Sequence, residues 1–137
     1  LPDLPLDEAG PWIDAADTSG VETVLLAAPT TPDERLDRIA QRSRGFLYAV
    51  GLLGVTGERA TLADSAKEIA RRAKDITDLP GLVGVGVSSP QQAVEVCEVA
   101  DGAVVGSAFM RKILDGASPD QVADQVGEFR DALDRGM

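Results

Sequence analysis

Two glycine-containing turns carry the residues best suited to chemistry in this sequence. Gly106–Phe109 follows the apolar run Ala103–Val105, and Gly84–Ser89 contains the end of another apolar run. Glycine lets the backbone approach a ligand without a Cβ in the way, and N–H groups at a helix start bind anions, most often phosphate. We therefore predict a helix that begins at Ser107, with a hydroxyl and unpaired N–H groups over Ser107–Phe109 available to phosphate.

The order of the two turns indicates how they would work together. Each combines a short buried strand, a glycine and a helix start, and the last two strand-to-helix loops of a (β/α)8 barrel form a phosphate site in this way. Two ordinary turns of another α/β protein would show the same residues. Neither turn contains Lys or Arg, so a phosphate bound here would be held by backbone N–H groups and hydroxyls.

Residues that are absent or rare exclude several functions. The 137 residues carry a formal charge of −10, which argues against nucleic acid and anionic membrane surfaces as partners. The absence of histidine excludes Ser-His-Asp triads, Cys-His dyads and nearly all catalytic zinc sites, and we expect no metal. Cys97 is the only cysteine, so we expect a small core residue, no internal disulfide and a cytoplasmic location.

Apolar runs alternate with amphipathic segments along the chain. Continuous apolar strands separated by helices are typical of a parallel sheet that is covered on its faces. The spacing between strands, about 20 to 35 residues, suits right-handed βαβ units. We predict an α/β fold with four parallel strands: Val21–Ala28, Phe46–Val50, Leu82–Val87 and Ala103–Val105.

Helix starts share a cap pattern, in which a hydroxyl residue precedes proline and then Glu or Gln. The hydroxyl predicts the N-cap, and Glu or Gln completes a capping box. The pattern occurs at Thr31–Glu34, Ser89–Gln92 and Ser118–Gln121. A further helix is expected from Thr61, and Leu6–Ser19 is expected to be helical with a kink or break at Gly10-Pro11.

The loop after the second predicted strand is unusually long. Gly51–Ala60 has about ten residues, whereas strand-to-helix loops usually have 2–6, and three of its residues are glycines. Such loops are often lids over a binding site. A variable surface connection is the other interpretation.

Several short motifs occur together in a characteristic order. The most specific is Gly54-Val55-Thr56-Gly57, shortly after Tyr48; the others are Asp3-Leu4-Pro5, Ala28–Leu36, Gly84–Pro90 and Gly102–Ala108. This set resembles the second half of the tryptophan synthase alpha subunit, and the resemblance covers the whole chain. It implies the second half of a (β/α)8 TIM barrel of the phosphate-binding type: four parallel strands with covering helices, in one domain over residues 1–137. The first half of the barrel is absent from this sequence.

The resemblance implies a lyase of tryptophan biosynthesis. Enzymes of this family cleave indole-3-glycerol phosphate to indole and glyceraldehyde 3-phosphate in a retro-aldol reaction, and indole passes to a beta subunit that holds pyridoxal phosphate. The expected partners are therefore that beta subunit and a small phosphate ester, and no cofactor is expected in this chain. Asp3-Leu4-Pro5 would lie on the rim that meets the beta subunit.

The resemblance also implies roles for individual residues. Tyr48 would reach into the site from the strand before the lid, and Thr56 would support a catalytic carboxylate when the lid closes. The substrate phosphate would be surrounded by Gly57, Gly84, Val85, Gly86, Gly106 and Ser107. The glutamate acid/base of the family and its partner aspartate belong to the first half, so no catalytic residue is assigned in this chain.

Two other functions stay open at the level of sequence. Another phosphate-sugar barrel enzyme, an isomerase or an epimerase, would show similar glycine turns, and a non-catalytic half-barrel would assemble with itself or with a partner. The chain begins with Leu1 rather than Met, and we expect a piece of a longer protein or a processed product. Because four strands cannot close an eight-stranded barrel, we expect self-association or pairing with a missing first half, and no activity from these residues alone.

Overall fold

A four-stranded parallel sheet forms the centre of the structure, a computed structural model that describes residues 4–51, 59–84 and 86–136, with the backbone alone over 59–64. Its strands are β1 (Leu25–Ala27), β2 (Leu47–Val50), β3 (Gly81–Gly84) and β4 (Gly102–Val104). They lie in the sheet in the order of the chain, and all three pairings are parallel. The predicted α/β arrangement is confirmed.

In the part of the chain that the structure describes, every strand is followed by a helix. One helix precedes the sheet, one lies between each pair of consecutive strands, and two follow the last strand. They are α1 (Gly10–Thr18), α2 (Asp33–Arg42), α3 (Arg59–Lys74), α4 (Pro90–Cys97), α5 (Ser107–Leu114) and α6 (Pro119–Gly136). None of these helices combines the length and the apolar character that a membrane span requires.

Two strands are shorter than the sequence predicts. β1 begins only at Leu25: the Val21 N–H donates to Ala16 O of α1 (2.9 Å) instead of to a strand, and Val21 is 56% exposed. β3 ends at Gly84 rather than at Val87, since Gly86 has a φ of 79° in the left-handed region, which an extended strand does not use. The predicted bounds of β2 and β4 are correct to within one residue.

The predicted hydroxyl caps are confirmed at α4 and α6. Ser89 Oγ accepts from the Gln92 N–H, and Ser118 Oγ accepts from the Gln121 N–H, both at 3.3 Å. At α6 the Ser118 N–H also donates to Gln121 Oε1 (2.8 Å), which completes a capping box. At α4 the Gln92 side chain accepts instead from the Ser88 N–H (2.8 Å), so the box is displaced by one residue.

The cap predicted at Thr31 is wrong, and the predicted segment Leu6–Ser19 is split, with a turn at residues 6–8 and helix only over Gly10–Thr18. Thr31 Oγ1 accepts from the Ala28 N–H (3.0 Å) and closes the loop after β1, so α2 begins only at Asp33 and has no side-chain cap. Pro11 lies in the first turn of α1 and starts that helix, where a missing N–H costs nothing.

The main core lies between the helices and one face of the sheet. Strand side chains alternate between the two faces, and the helix-covered face is almost completely buried. Its core includes Ala27, Leu47, Ala49 and Val83 from the strands with Leu36, Ile39, Ile69, Ala93, Val96 and Phe129 from the helices. On the opposite face Leu26, Tyr48 and Leu82 lie side by side in register and are half-buried.

Candidate functional site

The ends of the three consecutive strands β2, β3 and β4 lie together at one edge of the sheet. Val50 pairs with Gly84, and Gly84 pairs with Val104. The Gly51 N–H extends the first pairing by donating to Gly84 O (3.1 Å). Because binding sites of parallel sheets lie at the carboxyl ends of the strands, the residues after these strands are placed where a ligand would be held.

Tyr48 and Gly84 are in direct contact at this edge. A Cβ built at Gly84 would overlap the Tyr48 phenol, so the ring occupies the space that a side chain at position 84 would need. Both residues belong to the face of the sheet that the helices do not cover, because Tyr48 pairs with Leu82 and Gly84 lies two positions further along β3. The structure therefore brings together two of the residues that the resemblance assigns to the site.

The turn after β3 is shaped by Gly86. Its φ of 79° is disfavoured for residues with a Cβ, and its exposed backbone leads to Val87, which is buried in the core. The following Ser88 donates through both its N–H and its hydroxyl to Gln92 Oε1 (2.8 and 3.0 Å). The turn is thus held against the start of α4.

The predicted helix start after β4 is confirmed, with one correction. α5 begins at Ser107, and Gly106 is its N-cap. The N–H groups of Phe109 and Met110 both donate to Gly106 O (3.1 Å each), so the prediction of an unpaired N–H at Phe109 is wrong. The N–H groups of Ser107 and Ala108 donate to no other described residue, and Ser107 is exposed.

Positive side chains lie away from these turns. Arg111 and Lys112 lie in the last turn of α5, where they complement the negative end of the helix dipole. An anion at the start of α5 would therefore be bound by N–H groups and the Ser107 hydroxyl. In the ranges that the structure describes, no three His, Cys, Asp or Glu side chains are grouped as a metal site requires.

A carboxylate at the opposite edge of the sheet has a structural role. Asp101 Oδ2 accepts from the Gly81 N–H (2.8 Å), and its Oδ1 lies 3.1 Å from Lys74 Nζ. The Gly81 hydrogen bond, with the Lys74 charge, holds the pKa of Asp101 below its usual range. Because Gly81 and Asp101 stand at the amino ends of β3 and β4, this carboxylate joins strands and does not face the candidate site.

Cys97 is only partly buried at the end of α4, so the prediction of a core residue is too strong. Burial, together with the nearby negative charge of Asp101, raises the pKa of its thiol. A thiol of this kind is a weak nucleophile at neutral pH. Cys97 is therefore not a candidate for catalysis.

Several predicted residues lie outside the described residues. They are Asp3, Thr56, Gly57, Val85 and most of the predicted lid, over 52–58. Their assignments stay predictions.

A groove of about 290 Å³ adjoins the ends of β1 and β2. Its lining combines the first described residues of the chain with the loop that follows β1. It includes Leu4, Pro5, Leu6, Leu26, Ala28, Thr31, Arg35 and Val50. The loop after β1, residues 28–32, is thus a neighbour of the end of β2.

Sequence reasoning missed one polar residue that contacts this loop. Arg72 of α3 donates to Pro29 O (3.0 Å) and Thr31 O (2.6 Å). Arg72 belongs to a cluster of basic residues at a helix end, Arg71, Arg72 and Lys74, which has the appearance of a solvated surface. Only the three-dimensional proximity of α3 and the loop distinguishes Arg72 from Arg71.

Comparison with known proteins identifies the family. A family model described as the tryptophan synthase alpha chain matches residues 1–136. The chain belongs to this family. The tryptophan synthase alpha chain of Thermobifida fusca is 42% identical over 99% of this chain and 52% of its own length. That of Streptomyces coelicolor is 46% identical over 93% of this chain and 46% of its own length.

A solved structure shows the same fold. The structure titled as the tryptophan synthase α2β2 complex from Pyrococcus furiosus matches with a TM-score of 0.82 and 38% identity, over 93% of this chain and 52% of that chain. The tryptophan synthase alpha fold is a (β/α)8 barrel, and the four strands described above are half of it. The chain spans about half the length of the curated relatives that it matches.

Proposed function

We propose that this chain is the phosphate-holding part of a tryptophan synthase alpha subunit, a lyase that cleaves indole-3-glycerol phosphate to indole and glyceraldehyde 3-phosphate by a retro-aldol reaction. The observation that carries the proposal is the contact between Tyr48 and Gly84, beside the hydrogen bond from Gly51 to Gly84. It places a phenol hydroxyl next to a backbone without a Cβ, at the edge of the sheet where the resemblance to the family implies the substrate.

The substrate phosphate is held by backbone groups in this proposal. The turn after β3 and the start of α5 supply N–H groups, and the Ser107 hydroxyl adds a further donor. Gly57, Val85 and Gly86 complete the set by resemblance, with Gly84 and Gly106 allowing close approach. Since the chain carries a net charge of −10, a site without cationic side chains relies on these local dipoles to offset repulsion of the phosphate.

Proton transfer and partner binding require further groups. By resemblance, the acid/base carboxylates belong to the first half of the barrel, and Thr56 supports one of them. The chain itself uses no cofactor, whereas its beta subunit partner holds pyridoxal phosphate. The Pyrococcus furiosus relative is titled as an α2β2 complex, and by resemblance Asp3-Leu4-Pro5 would lie on the rim that meets the beta subunit.

The test is indole release from indole-3-glycerol phosphate by the full-length gene product. Gly84→Ala would displace the Tyr48 ring, and we expect kcat/KM to fall by about tenfold or more, since small displacements of binding groups are costly. Gly127→Ala on α6 is the matched control, because nothing lies within 4 Å of a Cβ there. Full activity in Gly84→Ala would contradict the proposed site, and a wild type that isomerises a sugar phosphate without releasing indole would overturn the function.

A further inference from the structure

The guanidinium of Arg72 is held by three acceptors, two in the loop after β1 and one at the start of α2. Besides Pro29 O and Thr31 O, it contacts Asp33 Oδ1 through Nε (3.2 Å) and Nη2 (2.6 Å). The Arg72 side chain is 24% exposed, whereas that of Asp33 is 90% exposed. Two of the three acceptors are backbone carbonyls, so the contact depends on the conformation of the loop and differs from an ordinary surface ion pair.

The loop that Arg72 holds lies next to the candidate site. Ala28 and Thr31 line the same groove as Val50, the last residue of β2. Val50 is followed by Gly51, whose N–H donates to Gly84 O (3.1 Å). A displacement of the loop would therefore shift the end of β2, and with it the contact between Tyr48 and Gly84.

We propose that Arg72 is a positioning residue for binding of the phosphate ester. It fixes the loop over 28–32 on α3 and thereby fixes the end of β2, which carries Tyr48. The inference rests on the proposed function, because the phosphate ester is the ligand of that site. Lysine would not replace Arg72, because a single ammonium group cannot match the planar set of donors that reaches carbonyls and a carboxylate together.

The effect is expected on substrate binding more than on the chemical step. The residues assigned to this half of the barrel hold the phosphate, and the proton-transferring carboxylates belong to the other half. Displacement of the loop over 28–32 weakens phosphate binding, an interaction that the substrate and the transition state share. Loss of such an interaction raises KM without lowering kcat.

The experiment measures kcat and KM for indole-3-glycerol phosphate in the full-length enzyme. Arg72→Ala is expected to raise KM about tenfold and to leave kcat within about twofold, and Arg72→Lys is expected to raise KM by at least about threefold. Lys67→Ala is the matched control: Lys67 is also on α3 and is 21% exposed, and its ion-pair partner is Glu98 (3.1 Å), which is not a residue of the loop. Its KM is expected to equal that of the wild type.

Three results would overturn the inference. They are an unchanged KM in folded Arg72→Ala, the same rise in KM in Lys67→Ala, and full rescue by Arg72→Lys. If Arg72→Ala does not fold, Arg72→Lys and Asp33→Ala, which removes one acceptor only, decide the question by the same KM criterion. A wild-type enzyme that releases no indole would instead overturn the proposed function, so the two failures are distinguishable.

Discussion

Ser107 combines an exposed hydroxyl with the first N–H groups of α5. Ser107→Asp would place a negative charge at these N–H groups, and we expect it to abolish binding of phosphate esters. Ser107→Ala removes about one hydrogen bond and should weaken binding by roughly 0.5–1.5 kcal/mol. Isothermal titration of the full-length protein with glyceraldehyde 3-phosphate measures both effects.

A second helix start provides the control for this prediction. Ser118 is also an exposed serine at a helix N-terminus, where its hydroxyl accepts from the Gln121 N–H, and aspartate is an equally good N-cap. Ser118→Asp should therefore leave phosphate affinity unchanged. Equal affinity of Ser107→Asp and the wild type would remove Ser107 from the site.

Asp101 predicts a pH dependence of stability. Its pKa in the folded chain is depressed, chiefly by the Gly81 N–H, so its contribution is present above the ordinary value of about 3.9 and is lost as pH falls through the lower folded value. Asp101→Asn should lower the free energy of unfolding at pH 7 by about 0.5–1 kcal/mol, since the carboxylate is half-exposed. Urea unfolding at pH 7 and below pH 3 checks this. A difference that persists undiminished in acid would contradict the prediction.

At the level of single residues, the sequence predicts which residues belong to the site better than it predicts which residues contact each other. Resemblance assigned both Tyr48 and Gly84 to the site, but their packing against each other depends on the strand register. At Thr31 the hydroxyl had two local choices, a helix N-cap or a turn closure; it closes the turn, and α2 begins two residues later without a side-chain cap. Arg72 was missed because its acceptors are about 40 residues away in sequence, where local patterns carry no information.

Among the elements, α5 is held in place largely by α6. Phe109, near the start of α5, packs edge-to-face on Phe129, with ring centroids 5.4 Å apart, and Phe129 is 5% exposed. Phe129→Ala should lower the free energy of unfolding by about 3 kcal/mol and also weaken phosphate-ester binding, because it loosens the helix that starts at Ser107. Urea unfolding and titration calorimetry measure the two effects, and Phe129→Leu, which keeps most of the buried volume, is the control. Unchanged phosphate affinity in folded Phe129→Ala would show that α5 is positioned by other contacts.

The elements themselves follow closely from the sequence. Periodicity and caps predicted the order of strands and helices, and the bounds of β2 and β4 to within one residue. The error at β1 has a physical cause: Val21-Glu22-Thr23-Val24 has β-forming residues, but the Val21 N–H is taken by Ala16 O of α1 (2.9 Å). A strand ends where its hydrogen bonds find other partners, and that depends on tertiary structure.

For the whole molecule, the face of the sheet opposite the helices determines how we expect the isolated chain to behave. Leu26, Tyr48 and Leu82 remain half-buried there, and β1 and β4 are the two edge strands of the sheet that the structure describes. In a complete barrel such a face is the packed interior, and edges are absent. We therefore expect the 137-residue polypeptide, expressed alone, to self-associate and to release no indole.

Sedimentation and an indole assay check these two expectations separately. A stable monomer of 14.3 kDa would contradict the expected association. Lyase activity in the isolated chain would mean that one of its own acids transfers the proton. Addition of the first half of the barrel as a separate polypeptide should restore some turnover, with the uninterrupted full-length chain as the reference.

The sequential order of the strands also has a consequence for how the chain acquires its structure. Leu25 pairs with Leu47, Leu47 with Gly81, and Leu82 with Gly102, so the paired residues are 22, 34 and 20 positions apart. The entropy of closing a loop changes little over this range of lengths, and pairings that are close in sequence form early. Each strand is therefore synthesised after the strand on which it pairs. We expect this half of the fold to form in one direction, from β1 to β4, as the chain is translated.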